Sequence, residues 1–129
     1  MGYMSEYQLD RWRYMELRAI CRQYDQLRWR ARCLLEASGG TDGPRGNLPG
    51  DPVARVVSAR ERIMKQLDAI EKAATTAGAG QWRDVLIDNA CHGKAYDDLD
   101  KTRMPTSKRK SFFRVRREFF YLLSSYLDG

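Results

Sequence analysis

Between Ser5 and about Ala37 the chain has neither Gly nor Pro, and Leu17, Ile20, Tyr24, Leu27, Ala31 and Leu34 follow one another at alternating steps of three and four residues. Apolar positions at that spacing line one face of an α-helix, and the strict alternation is the seam of a helix that packs lengthwise against another. The pattern predicts one long amphipathic helix. A second stripe, Val56, Ile63, Leu67, Ile70 and Ala74, predicts a helix reaching about Thr76, with Asp51 as N-cap and Pro52 in the first turn. Residues 38–51 between them are rich in Gly and Pro and read as a loop, so the two helices are expected to form an antiparallel hairpin over residues 1–77. Its seam is suited to burial within one chain or against a second copy, as a homodimer. Trp12 and Trp29 lie off that seam, either packed within the monomer or free for a further contact.

After a short hinge at Ala77-Gly78-Ala79-Gly80, apolar Trp82, Val85, Leu86 and Ala90 predict a third helix from Gln81 to about His92, ended by Gly93. Lys94 to about Lys101 reads as a short fourth helix around Tyr96 and Leu99, and Thr102 to Pro105 as a turn. The last helix is expected to start with Thr106 or Ser107 as cap and to run to about Leu127, with Phe112, Val115, Phe119, Leu122 and Tyr126 facing the core. Phe113 and Phe120 share a neighbouring face that widens the core or meets the hairpin. The fold expected is therefore all-α, a long helical hairpin followed by a C-terminal helix-turn-helix unit over residues 78–129.

Charge sharpens this reading at one place. The chain of 129 residues has a net charge of +6, and residues 106–129 hold six bases against two acids, so four of the excess charges fall in the last helix. From Lys108 to Arg117 six of ten residues are Lys or Arg and none is acidic. Lys110, Arg114, Arg117 and Tyr121 project opposite the apolar stripe, which leaves one side to anchor and the other to meet a polyanion. The arginines of the first helix, Arg22 and Arg28 among them, read chiefly as solvated flanks of its seam.

Other chemistry finds little support. Cys21, Cys33 and Cys91 are odd in number, without metal-ligand spacing, and read as reduced thiols. His92 is the only histidine, and its neighbour Cys91 points about 100° away on a helix, so no nucleophile-base pair is expected and the chain does not read as an enzyme. Asp97, Asp98 and Asp100 more simply balance Lys94, Lys101 and Arg103 than hold a cation. The 38–51 loop lacks the Gly-Lys-Ser/Thr phosphate signature, and no motif implies a cofactor. No apolar run approaches the roughly 20 residues that cross a bilayer, and residues 1–6 lack the layout of a signal peptide, so the expected place is the cytoplasm.

The stretch Val85-Leu86-Ile87, then Gly93 to Leu99, then Met104 to Leu123 resembles the C-terminal part of phage transcriptional regulators of the ArpU and RinA type. The resemblance covers about 40 residues, and the N-terminal half matches in layout only. It implies a helix-turn-helix similar to region 4 of sigma factors, duplex DNA as partner, contact with host RNA polymerase, and a bacterial host cell. It places the last helix in the major groove, with Lys108, Lys110, Ser111 and Arg114 as candidates for base readout. Lys108, Arg109 and Arg117 are candidates for phosphates, while Thr106 and Ser107 offer the helix start to the DNA backbone. Two other readings use the same basic helix. One is a small phage-encoded protein that inhibits a host nuclease or ribonucleoprotein; the other is a packaging adaptor resembling a small terminase subunit.

Overall fold

Asp10 opens the first helix, its carboxylate accepting the N–H groups of Trp12 (3.2 Å) and Arg13 (3.4 Å). Such a cap satisfies two of the four N–H groups that every helix start leaves without partners. In this computed structural model residues 8–39 and 52–129 are described, with the backbone alone for 37–39 and 52–53. The predicted helix start near Ser5, the Asp51 cap and most of the 38–51 loop lie outside the described residues. Among the described residues five α-helices follow in order: α1 (Arg11–Arg22), α2 (Tyr24–Gly39), α3 (Pro52–Thr76), α4 (Arg83–Ala90) and α5 (Arg109–Asp128). Among the described residues there is no strand, and the chain is all-α.

The single long helix expected at the N-terminus is two. Gln23, at φ −92° and ψ 3°, interrupts it, and its N–H turns back to the carbonyl of Ile20. No Gly or Pro marks the break, because its cause is tertiary: α2 packs along α3, whereas α1 turns onto α5. Tyr14 meets Phe120 edge to face at 5.1 Å, and Arg13 donates to the buried hydroxyl of Ser124 (3.0 Å) and to Asp128 (2.7 Å).

The hairpin pairs α2 with α3 in antiparallel sense. Tyr24 at the start of α2 donates to Glu71 near the end of α3, while Arg30 lies beside Arg62 and Ile63. Leu17, Tyr24, Leu27 and Ala31 of the predicted seam are buried against Ile63, Leu67, Ile70 and Ala74; Ile20, Leu34 and Val56 are half-buried. The helix continues through Gly39, past the predicted loop start at residue 38. Helix α3 also receives α5 in antiparallel sense: Glu118 meets Gly78 just past the end of α3, the ammonium of Lys72 lies over the Tyr126 ring at 4.5 Å, and Leu127 lies beside Ile63. Phe112, Phe119, Phe120 and Leu123 of α5 are almost wholly inaccessible and join the residues of α1 to α4 in one apolar cluster. Each fully buried phenylalanine contributes about 1.5–3 kcal/mol, far more than a surface ion pair.

The link between α3 and α4 is the tightest place in the fold. Gly78 (φ +57°), Ala79 (φ +60°) and Gly80 (φ +80°) are all left-handed, a region that L side chains enter at a cost. A β-carbon on Gly78 would lie 2.5 Å from Cδ1 of Trp82 and 2.9 Å from Cγ1 of Val115, and the Gly78 N–H is accepted by Glu118 of α5 at 3.1 Å. The turn itself thus packs directly on α5, with no side chain on Gly78 to hold the two apart.

The expected fourth helix is replaced by two separate 3-10 turns, Tyr96–Asp98 and Lys101–Arg103, with Leu99 and Asp100 extended between them. Local side-chain bonds compete with the helix there: Asp100 accepts the Thr102 N–H (3.0 Å), and the Lys101 ammonium donates to the carbonyls of Tyr96 (2.8 Å) and Leu99 (3.0 Å). Helix α4 is also shorter than expected, ending at Ala90, with Gly93 (φ +75°) turning the chain beyond it.

Gly78→Ala is expected to lower stability by about 2–5 kcal/mol, the sum of a left-handed penalty and an overpacked contact. Ala79→Gly, at an exposed position with the same φ, should raise it by up to about 1 kcal/mol, because relief of strain outweighs the entropy of glycine. Urea denaturation followed by circular dichroism measures both; a Gly78→Ala protein as stable as the parent would show that the turn relaxes without penalty.

Candidate nucleic-acid interface

Helix α5 starts at Arg109, with Lys108 as its N-cap residue in extended conformation and no side chain capping it. This corrects the expectation that Thr106 or Ser107 caps the helix. The Thr106 hydroxyl accepts the Lys108 N–H at 3.3 Å, two residues ahead of the cap position, and the Ser107 carbonyl accepts the hydroxyl of Tyr96 at 2.6 Å. Tyr96 thereby ties the 3-10 turns to the start of α5, and its buried ring packs on Phe112 (5.4 Å) and Phe113 (5.9 Å).

The candidate residues divide into two groups around this anchor. Lys108, Lys110 and Arg114 are exposed and, among the described residues, have no carboxylate within ion-pairing distance. Ser107 is exposed, while Thr106, Ser111 and Arg117 are half-buried. Arg109 is exposed but engaged: its guanidinium lies over Tyr96 (5.2 Å) and Phe113 (5.1 Å), with Asp97 at 3.9 Å. It buttresses the anchor from outside, so Lys108, Lys110 and Arg114 form the open basic row. Tyr121 also faces outward, as predicted.

A further basic feature joins α5 to α1. A groove of about 490 Å³ is lined by Leu9, Arg11 and Tyr14 on one side and Phe113, Arg116, Arg117 and Phe120 on the other. Arg116 is held by Asn89 Oδ1 (2.7 Å) and the Tyr14 hydroxyl (2.7 Å), and its guanidinium lies over the rings of Phe120 (4.8 Å) and Tyr14 (5.7 Å). The groove was not legible beforehand. Arg116 and Phe120, four residues apart, signal a pairing on one helix face, but the approach of Tyr14 follows from the break at Gln23.

Other titratable residues hold the scaffold behind this face. The half-buried Glu71 carboxylate on α3 receives Arg83 of α4 (2.8 Å) and the hydroxyl of Tyr24 on α2. Burial pushes that hydroxyl up, helped by its bond to Glu71, to about 12. Burial also acts to raise the Glu71 carboxyl, but the hydrogen bonds from Arg83 and Tyr24 outweigh it and hold the group below its ordinary value. Cys91 and Cys21 are buried free thiols in contact; the hydrogen bond with Cys21, then burial, pushes the Cys91 thiol well above the usual range, which keeps it protonated and a poor nucleophile. Asp100 is held low by the hydroxyl and N–H of Thr102, and Asp97 faces Arg109. Among the described residues no group of three or more His, Cys, Asp or Glu is placed to hold a metal ion, and no helix is long and apolar enough to cross a membrane.

His92 sits between α4 and α2, Nδ1 3.1 Å from Asp88 and Nε2 3.3 Å from Asp25, with Lys94 and the Arg22 guanidinium nearby. The bond to Asp88 raises its pKa, partial burial opposes this, and the bond to Asp25 adds to it. A raised folded pKa means that the clasp contributes fully below the unfolded value of about 6.5 and is lost as pH climbs through the folded value. The melting temperature of the protein is therefore expected to fall between pH 6 and 8.5 more than that of His92→Gln, and parallel profiles would show that the clasp adds no stability.

No family model, no curated protein and no solved structure matches the chain.

Proposed function

We propose that the chain is a nucleic-acid-binding protein whose partner is duplex DNA, in its sharpest form a transcription regulator of the phage ArpU and RinA type. The observation that carries the reading is the open basic row Lys108, Lys110 and Arg114 on a helix whose opposite side is sealed by Phe112, Val115 and Phe119. A rigid helix with one buried and one cationic side suits a major groove, where its first turns meet base edges and phosphates. The N-terminal segment of α5 is free of acids up to Glu118, and Glu118 is turned inward onto the Gly78 N–H.

The form of the motif is looser than a compact helix-turn-helix, in which about three or four residues join the two helices. Here Cys91 to Lys108 connect α4 to α5 through the two 3-10 turns. Support for the unit rests on the stapling of this connection by Tyr96 and Lys101 rather than on its length. Within this reading Arg114, Lys110 and Ser111 read bases, Lys108 and Arg117 hold phosphates, and Arg109 orients the helix start. Polymerase contact or self-association falls to the exposed faces of α1 and α2, where Trp12 and Trp29 stand 67% and 64% accessible. The alternative, an inhibitor of a host nucleic-acid enzyme or ribonucleoprotein, draws on the same exposed tryptophans.

Selection from a randomised duplex pool at two salt concentrations tests the reading. An enriched motif is expected for the parent, and Arg114→Ala should relax preference at one base position by about 1–3 kcal/mol. Lys108→Ala should instead weaken all sequences alike and reduce the slope of log K against log salt by about one. Unselective binding that ignores Arg114→Ala would exclude sequence readout.

A further inference from the structure

The groove between α1 and α5 lies beside the basic row but has a different chemistry. Its volume, about 490 Å³, is that of a small-ligand site. Tyr14, Phe113 and Phe120 give it aromatic walls; Arg11, Arg116 and Arg117 give it charge, and among the described residues no carboxylate lines it. Arg116 is fixed in place by Asn89 and the Tyr14 hydroxyl, so part of the positive field is preorganised. Phe120 is buried beneath, whereas Tyr14 and Phe113 are only half-covered and Arg11 is exposed at the rim.

Aromatic surface next to guanidinium groups matches a ligand that joins a flat apolar ring to an anion. An unpaired nucleotide is such a ligand, for every base has a π-face and every nucleotide a phosphate. Arg117 connects the groove to the basic row, since it follows Lys110 and Arg114 by seven and three residues on the same helical face. Neighbouring phosphates of a strand seated in the groove therefore have Lys110 and Arg114 to meet. A paired base is already stacked and cannot present its face.

We propose that the groove between α1 and α5 binds one unpaired nucleotide of a single-stranded nucleic acid, its base against Phe113 and Tyr14 and its phosphate drawn by Arg11 and Arg117. The site goes beyond duplex recognition and does not require it.

Fluorescence anisotropy of the full-length protein with a fluorescein-labelled mixed-sequence 12-nucleotide strand, beside the duplex of the same sequence, tests the site. The strand is expected to bind, and Phe113→Leu, which keeps apolar bulk but removes the aromatic face, should weaken it by about 5- to 100-fold, the effect of one lost stack. Duplex binding should stay within about twofold. Arg11→Gln, at an exposed position that leaves the core untouched, should also weaken strand binding and flatten its salt dependence, which keeps the test sound if Phe113→Leu folds poorly. Absence of strand binding by the parent overturns the proposal, as does indifference of strand binding to both variants. Equal loss for strand and duplex overturns it too, since the groove would then be one part of a general cationic surface. Displacement of the strand by a glutamate decamer as readily as by unlabelled strand would assign the groove to an acidic peptide instead. Failure of the duplex alone to bind, with the strand bound and sensitive to Phe113→Leu, would remove the regulator reading and support this site.

Discussion

Gly78 touches Trp82 and Val115 where any larger residue would collide, and its N–H is accepted by Glu118; the placement of everything after α3 depends on that contact. The left-handed turn there reverses the chain and brings α4 under α5. The same three residues decide where the basic helix sits: Trp82 packs on Phe112 at 6.3 Å, and Val115 lies a turn beyond. Two further pins hold α5 at its ends. Tyr96 binds the Ser107 carbonyl before its first turn, and Arg13 of α1 reaches Ser124 and Asp128 in its last. A helix fixed at three points along its length can keep its cationic side in register, which recognition by a rigid surface requires.

Magnitudes separate what builds this arrangement from what decorates it. The aromatic and aliphatic residues of α5 that lose all contact with water supply the larger share of stability. The ion pairs Arg103 with Asp84 and Arg109 with Asp97 are exposed, and pairs of that kind contribute about 0–1 kcal/mol. Arg109 and Arg103 meet Asp97 and Asp100 of the 97–100 turn at 3.9 and 3.7 Å, which offsets two acids close to the start of α5. Glu71 differs because it is half-buried and meets partners on two other helices at once, which makes it a joint of α2, α3 and α4.

Much of this was legible in the pattern of residues. The three-four spacing of Leu17 to Ala31, the Pro52 start and the stripe Phe112, Val115 and Phe119 are local regularities, and local regularity survives folding. The break at Gln23 was not legible, because nothing in the residues around it disfavours a helix; two competing packing partners impose it. Nor was the loss of the fourth helix, where Asp100 and Lys101 satisfy backbone groups from the side and remove the advantage of helical bonds. For the site, the open cations Lys110 and Arg114 could be read from their position opposite the apolar stripe, and Lys108 from its place in the basic run. The engagement of Arg109 could not, since its partners Tyr96 and Asp97 arrive from a segment expected to be helical.

The break at Gln23 is the departure that bears on the groove, for α1 supplies one of its walls. Without the break Tyr14 and Arg11 would continue along the axis of α2, and Phe113 would keep only Tyr96, Phe112 and Arg109 as neighbours. The kink at Gln23 carries Tyr14 to Phe120 and Arg116 instead, converting three aromatics and three arginines on separate helices into one concave surface. The arginines of α1, read in sequence as solvated flanks, thus become in part an extension of the basic face of α5. Arg117 follows Lys110 and Arg114 along the helix and lines the groove, so the row and the groove adjoin on one surface, and on the proposed reading a strand that follows the row reaches the groove.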